Sequence, residues 1–442
     1  MINEPQTLIN LQQKIRAHTA IVGVVGLGYV GLPFAVEKSK VGYQVLGIEQ
    51  NPKRAERVNI ADNYITDIKD EELKQVVSSG KLQAVLNFDR VAEMDVIVIC
   101  VPTPLTKNLT PNLSYIENVT HAIAKHLRTG QLITLESTTY PGTTDEVMRP
   151  LLEEVSGLQQ GRDFFLAHSP ERVDPGNQRY TTKNTSKVVG ASDTYSLEVA
   201  KLFYEQTIEH VVPVSSAKAA ELVKVFENTF RAVNIALVNE LALLCDRIDL
   251  NVWEVLDAAN TKPFGIMPFY PGPGVGGHCI PIDPHYLEWK AKEVNFNTHF
   301  IALAGEINRS MPLFVREKAR RCLNNLGIAP ARARVLVIGA AYKKDIEDWR
   351  ESPAIMVINY LLEDKMTVTY HDPYVPQIEV RGQTFSSLEL TDEIIAAADL
   401  VIIATEHSQI DYVNLVQKSQ AVLDTRGVTR HLNCASDKVT LL

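Results

Sequence analysis

The run Ala20-Ile-Val-Gly-Val-Val25 passes directly into Gly26-Leu-Gly28-Tyr29-Val30-Gly31. A helical pattern follows from Leu32 to Lys40, and then a second apolar run, Tyr43 to Ile48, ends at Glu49. Strand, glycine turn, helix, strand and an acid about 20 residues on form the dinucleotide-binding βαβ fingerprint in its full context. Gly26 gives the tight turn, Gly28 lets a pyrophosphate approach the backbone, and Gly31 allows close helix–strand packing. The pyrophosphate rests on the helix N-terminus, and Glu49 takes the ribose hydroxyls. A carboxylate there repels a 2′-phosphate, so NAD is expected rather than NADP. The competing reading is a glycine turn in an α/β fold without a nucleotide.

Further apolar runs, Asp95–Val101, Gln131–Leu135 and Phe164–Ala167, read as strands buried inside a parallel sheet. Cys100 reads as core. Each run ends in a polar loop: Pro102-Thr103-Pro104, Glu136 to Gly142, and Ser169 to Gly176. Ligands of open parallel sheets bind beyond the carboxyl ends of the strands, so the three loops converge on one expectation.

Ala217 to Arg247 has unbroken helical periodicity without glycine or proline. Leu222, Val225, Phe226, Thr229, Phe230 and Val233 form its apolar stripe. A helix of about 30 residues spans about 45 Å, which suits a link between domains that packs against a second copy. Lys224 and Asn228 are four apart and share a face; alternatively that face is simply solvated. A second helical region covers Asn297 to Leu326.

Between these helices lies Pro271-Gly-Pro-Gly274-Val-Gly276-Gly-His-Cys279-Ile-Pro-Ile-Asp283. Glycines allow sharp turns and close approach of a ligand, and consecutive backbone N–H groups suit phosphate oxygens. Cys279 beside such a site is a candidate thiolate nucleophile, and Asp283 is placed to orient a water. The alternative is a glycine-rich turn with a packed cysteine.

From Ala333 an α/β pattern restarts, with strands at Val335–Ile338, Thr367–Tyr370, Asp399–Ala404 and Ala421–Leu423, and a helix at Pro353–Glu363. Its first turn, Gly339 to Lys344, lacks the second and third glycines of the fingerprint. A ligand other than a dinucleotide is therefore expected, with Lys343 or Lys344 meeting a phosphate. Arg426 follows the last strand, either in a surface ion pair or at a ligand.

The chain has 442 residues, 44 basic against 53 acidic, and a formal net charge of −9. That balance argues against a nucleic-acid partner. Five dispersed cysteines without a CxxC pair fit neither a disulfide framework nor a zinc site. They fit a reducing cytoplasm. No signal peptide or membrane span is read. No metal is expected.

Taken together, these motifs resemble the UDP-glucose/GDP-mannose dehydrogenase family from Gly26 to Arg426. The resemblance implies two Rossmann-like doubly wound α/β domains joined by a long central helix. The divisions are an NAD-binding domain at 1–210, a central helical dimerisation segment at 211–328 and a UDP-sugar-binding domain at 329–442. It further implies NAD-dependent oxidation of a sugar C6 alcohol to the carboxylate in a cytoplasmic homodimer or higher oligomer, supplying surface polysaccharide. Ser169–Gly176 and Phe269–Gly274 look closest to the branch acting on UDP-N-acetylglucosamine.

Residue by residue, Cys279 matches the nucleophile, and Asp283 and Thr138 match groups handling water or a proton. Glu171 matches a base for hydrolysis, and Lys224 and Asn228 match donors to the C6 oxygen. The cofactor set extends to Tyr29, Val30, Arg54, Pro102, Thr103 and Thr138. The substrate set extends to Glu171, Arg172, Val173, Tyr270, Gly274, Gly276, Lys343 and Arg426, with Lys262 in place of an arginine that reaches across the dimer. The commoner acid at position 49 is aspartate.

Competing readings are a UDP-glucose or UDP-N-acetylmannosamine dehydrogenase, a non-catalytic nucleotide-sugar-binding protein, and a two-electron hydroxyacid dehydrogenase. The joint presence of Cys279, Lys224, Asn228 and Asp283 argues against the non-catalytic reading, and a hydroxyacid dehydrogenase needs neither the cysteine nor a second nucleotide-type domain.

Overall fold

The computed structural model describes residues 5–65, 67–106, 108–173, 179–277, 279–432 and 437–442. Asp174, Pro175, Gly176, His278 and Cys434 lie outside the described residues. The chain divides into two compact units, Met1–Glu227 with His285–Phe296, and Asn228–Pro284 with Asn297–Leu442.

The first unit holds an eight-stranded sheet of β1 (Ile21–Val25), β2 (Gln44–Ile48), β3 (Leu82–Val85), β4 (Val96–Ile99), β5 (Leu132–Leu135), β6 (Phe165–His168), β7 (Lys187–Ala191) and β8 (Val211–Val214). Its order is β3-β2-β1-β4-β5-β6-β7-β8. The first six strands follow the doubly wound dinucleotide order, with the switch point between β1 and β4. All neighbours are parallel except β6 and β7. β4, β5 and β6 are buried along their whole length, as strands covered on both faces must be. Gly23 in β1 is filled by Met94, whose sulfur would lie 2.2 Å from an added Cβ.

The second unit holds a parallel sheet of β9 (Arg334–Ile338), β10 (Thr367–His371), β13 (Leu400–Ile403), β14 (Val422–Asp424) and β15 (Val439–Leu441) in the order β10-β9-β13-β14-β15. A separate hairpin joins β11 (Gln377–Val380) to β12 (Gln383–Ser386). The helix Pro353–Glu363 begins as its sequence dictates, with Ser352 capping the N–H of Ala354 and proline at N1.

The long helix spans Ala217–Arg247, and the later helical region forms His299–Asn325. The expected single apolar stripe on the long helix divides. Val225 and Thr229 are buried, whereas Leu222, Phe226 and Phe230 are exposed. Exposure continues at Leu237, Leu244 and Ile248 at steps of four and seven, so one unburied apolar line runs along the helix.

Candidate functional site

In the first unit the glycine turn has the geometry the fingerprint requires. Gly26 has φ 89°, and an added Cβ would meet the carbonyl oxygen of Cys100 at 2.4 Å. A Cβ on Gly31 would meet the carbonyl oxygen of Gly26 at 1.9 Å. A Cβ on Gly28 would meet nothing within 4 Å. The first and third glycines are therefore demanded by the protein itself, and the second borders open space. The following helix, Gly31–Lys40, begins at Val30 without a side-chain cap; with the Leu32 N–H given to the Gly28 carbonyl at 3.1 Å and no N–H on Pro33, its first turn offers an anion little more than the Gly31 amide. These features fit a dinucleotide pyrophosphate.

Glu49 is buried at the end of β2. One oxygen accepts the N–H of Leu27 at 3.2 Å and pairs with Arg54 at 3.3 Å, and the other accepts the N–H of Asn51 at 2.9 Å. The acid thus ties the glycine turn to the second strand. Arg54 stands beside it, and Tyr29 is exposed. Thr103, past the end of β4, accepts the Tyr286 hydroxyl at its carbonyl. Pro102 precedes it, and Thr138 lies half-buried beyond β5.

Beyond β6, Glu171 accepts the N–H groups of Arg172 and Val173 at 2.9 Å each and pairs with Lys187 at 2.8 Å. Burial alone would raise its carboxyl. Lys187 and the two amides outweigh it and hold the group below its usual range. Arg172 turns to Glu227 on the long helix, at 2.5 Å. Lys224 is half-buried one turn before Asn228.

In the second unit Asn228 is buried and donates from Nδ2 to Asp283. Asp283 begins the helix Asp283–Glu293, and its N–H donates to the Cys279 carbonyl at 2.8 Å. Cys279 is exposed and outside any disulfide. Nucleophile candidate, acid and amide are thus joined through one turn.

The glycine run ahead of Cys279 is closely packed on its Cβ side. The space of Gly276 is taken by Glu351, Tyr342 and Pro353, with contacts at 2.7–2.8 Å from an added Cβ, and that of Gly277 by the Tyr342 ring. Gly274, at φ 132°, abuts Pro353 at 3.0 Å. On their Cβ side these glycines admit neighbouring protein, which fixes the course of the Cys279 loop. Gly272 lies 3.0 Å from the Arg426 guanidinium by the same measure, which brings that late arginine to the loop.

Tyr270 stacks on Trp253 at 5.6 Å and donates its hydroxyl to Asp257. Lys262 is exposed over the Phe264 ring. Lys343 is half-buried and Lys344 exposed. In the turn after β9, the N–H groups of Ala340 and Ala341 both go to Asp372 at 2.7 and 2.9 Å. An internal carboxylate takes those amides, a physical reason why that turn is no second dinucleotide site.

Several residues escaped the sequence reading. Lys187 bridges Glu136 and Glu171. Arg430 lies 4.9 Å from both the Trp253 and Tyr270 rings and pairs with Asp257. Asn239, fully buried, accepts the Gly272 N–H and donates to Asn308. None lies in a recognisable motif, and each acts across a long sequence separation. Among the described residues no His, Cys, Asp and Glu group is arranged to hold a metal. No described helix is long and apolar enough to cross a membrane.

Comparison with known proteins agrees with this geometry. Three models of the UDP-glucose/GDP-mannose dehydrogenase family match in order: the NAD binding domain at 20–208, the central domain at 218–310 and the UDP binding domain at 336–431. A UDP-N-acetyl-D-mannosamine dehydrogenase of Pyrococcus horikoshii is 38% identical over 89% of this chain and 91% of its own. A UDP-N-acetyl-D-glucosamine 6-dehydrogenase of Pseudomonas aeruginosa is 34% identical over 88% of this chain and 90% of its own. A solved structure of a UDP-D-ManNAc dehydrogenase from Pyrococcus horikoshii superposes with a TM-score of 0.84 at 33% identity, covering 94% of this chain and 96% of that one. The chain belongs to the UDP-glucose/GDP-mannose dehydrogenase family.

Proposed function

We propose that this NAD-dependent UDP-sugar dehydrogenase carries the C6 alcohol of a UDP-N-acetylhexosamine through two oxidations to the carboxylate. The observation that carries the reading is the turn joining Cys279, Asp283 and Asn228. Bound NAD supplies the hydride acceptor, and the Gly28 space and the uncapped helix at Val30 would hold its pyrophosphate.

The first oxidation gives an aldehyde. The Cys279 sulfur adds to it, and loss of a hydride and a proton from the thiohemiacetal gives a thioester. Water cleaves the thioester to the carboxylate and restores the thiol. Asn228 retains a second N–H beyond the one given to Asp283, and with Lys224 it stabilises negative charge on the C6 oxygen. Asp283 and Thr138 orient the water, and Glu171 takes its proton. Arg172, Val173, Tyr270, Gly274, Gly276, Lys262, Lys343 and Arg426 hold the substrate. The working division is 1–210 for NAD, 211–328 for pairing and 329–442 for the UDP-sugar. The unburied apolar line on the long helix supports a homodimer. The uronate product suits surface polysaccharide synthesis in the cytoplasm.

Two readings of the sugar differ at C2. The segments at 169–176 and 269–274 favour UDP-N-acetylglucosamine. The mannosamine name of the more similar of the two relatives, 38% against 34% identical, favours UDP-N-acetylmannosamine. Purified protein with NAD⁺ and a panel of UDP-sugars tests both. Two NADH per sugar with an N-acetylhexosamine are expected, and the better epimer decides between them. One NADH per sugar would overturn the four-electron reading, and preference for UDP-glucose would overturn the N-acetyl reading.

A further inference from the structure

Three charged side chains meet beyond the carboxyl ends of β5 and β6. Glu136 directly follows β5. The antiparallel register pairs Ala167 with Ala191 and His168 with Gly190. Continued past the ladder, it brings Lys187 opposite Glu171. The Lys187 Nζ lies 2.9 Å from Glu136 and 2.8 Å from Glu171. The second Glu136 oxygen accepts the Tyr204 hydroxyl at 2.8 Å. Lys187 and Glu136 are buried, and Glu171 sits at the more open end.

The Lys187 ammonium also lies over the Phe34 and Tyr204 rings, and one cation between two carboxylates leaves a negative charge in excess. Buried charge without full compensation is costly, and a simple staple would need only one of the acids. Neighbouring groups do not supply the balance. Lys38 shares the Phe34 and Tyr204 rings with Lys187 and donates to the Phe203 carbonyl, but burial pulls its ammonium well below the usual lysine range against the attraction of Glu136, and Arg172 is turned to Glu227. Burial keeps His168 neutral and pushes the Cys100 thiol up. Burial likewise raises Glu136, while Lys187 and two amides hold Glu171 down.

We propose that Lys187 is a positioning residue that holds Glu171 in place and ionised, and that Glu136 tunes it by competing for the same cation. A proton taken up by Glu171 leaves Lys187 and Glu136 as a balanced pair, so the buried charge is relieved at the step where a base must accept a proton. The inference rests on the reading of Glu171 as that base.

The test is the pH dependence of NADH formation in the full-length protein, with thermal stability measured alongside. Lys187→Met leaves two carboxylates without a cation, and its acid limb should move up by one pH unit or more, about tenfold in rate below the limb. Lys187→Arg should restore the limb. Lys187→Met with Glu136→Gln leaves one acid, should fold more readily than the single variant, and should show a smaller displacement. If neither methionine variant folds, Glu136→Gln alone decides, with a limb moved to lower pH. An acid limb at the wild-type position in the folded variants, with only melting temperature changed, overturns the triad. Normal turnover by Glu171→Gln would instead remove Glu171 as the base.

Discussion

Glu221 accepts the backbone N–H of Thr144 at 2.8 Å and its hydroxyl at 2.7 Å, while its other oxygen takes the N–H of Gly142. Gly142, at φ 111°, opens the helical segment Thr143–Met148, which has no side-chain cap of its own. A carboxylate on the long helix therefore caps a segment that follows the Glu136–Tyr140 loop. Lys224 lies one turn further along the same helix, so this contact sets its height against Thr138's loop.

Glu221 is pushed up to about 7, first by burial and further by Asp145, against the hydrogen bonds of Thr144 and Gly142. Nearby Glu146 is neutralised by Lys218 and Lys290. A carboxyl raised in the folded state contributes stability that is complete below about 4.5 and lost as pH rises through about 7. Glu221→Gln removes this linkage. The stability of wild type relative to the variant should therefore fall between pH 5 and pH 8, by at most about 3 kcal/mol. His168, held down to about 3 by burial, loses stability in the opposite direction but is common to both proteins. Melting curves at the two pH values provide the check, and a constant difference would show that Glu221 does not titrate.

Cofactor choice should turn on Glu49. Wild type should use NADP⁺ poorly. Glu49→Ser removes the repulsion and frees Arg54, already 3.3 Å from the acid, to meet a 2′-phosphate. The NADP⁺ to NAD⁺ ratio of kcat/KM should rise about tenfold or more. NAD⁺ use should fall as well, because the Leu27 and Asn51 amides lose their acceptor. An unchanged ratio would place cofactor discrimination elsewhere.

The strand–glycine–helix units were legible because their signals are local: an apolar run, a turn that only glycine can make, a helical period and an acid at fixed spacing. Cys279, Asp283 and Asn228 were legible as residue types in ordered motifs. What stayed hidden depends on distant register or packing. Lys187 meets Glu171 only through the antiparallel β6–β7 register. That the glycines at 274, 276 and 277 make room for Tyr342 and Pro353 cannot be read from their local sequence. The stripe on the long helix cannot be divided without knowing which side the fold covers.

That unburied stripe makes a prediction of its own. Phe226 is 60% and Leu237 62% exposed, and large contiguous apolar surface usually marks an interface. Wild type should behave as a dimer or larger assembly in light scattering. Phe226→Glu with Leu237→Glu should shift it toward monomer while leaving the folded circular dichroism spectrum in place. A wild-type monomer would remove the homodimer reading.

Cys279 carries the sharpest consequence. The Gly272–Gly277 run packs against protein, so its course does not depend on the thiol, and Cys279→Ser should still fold and bind NAD⁺ and UDP-sugar. Serine is a weak nucleophile without an activating base, and an ester formed there would hydrolyse slowly. The variant should stall after at most one equivalent of covalently held product, without steady NADH formation. Mass spectrometry should then find a sugar nucleotide attached at residue 279. Cys279→Ala has no nucleophile at all and should stop at the aldehyde, giving one NADH per sugar and no adduct. Full four-electron turnover by either variant would mean that the aldehyde is oxidised as its hydrate. In that case the exposed thiol would have no covalent part in the reaction, and the turn linking it to Asp283 and Asn228 would serve only to orient water.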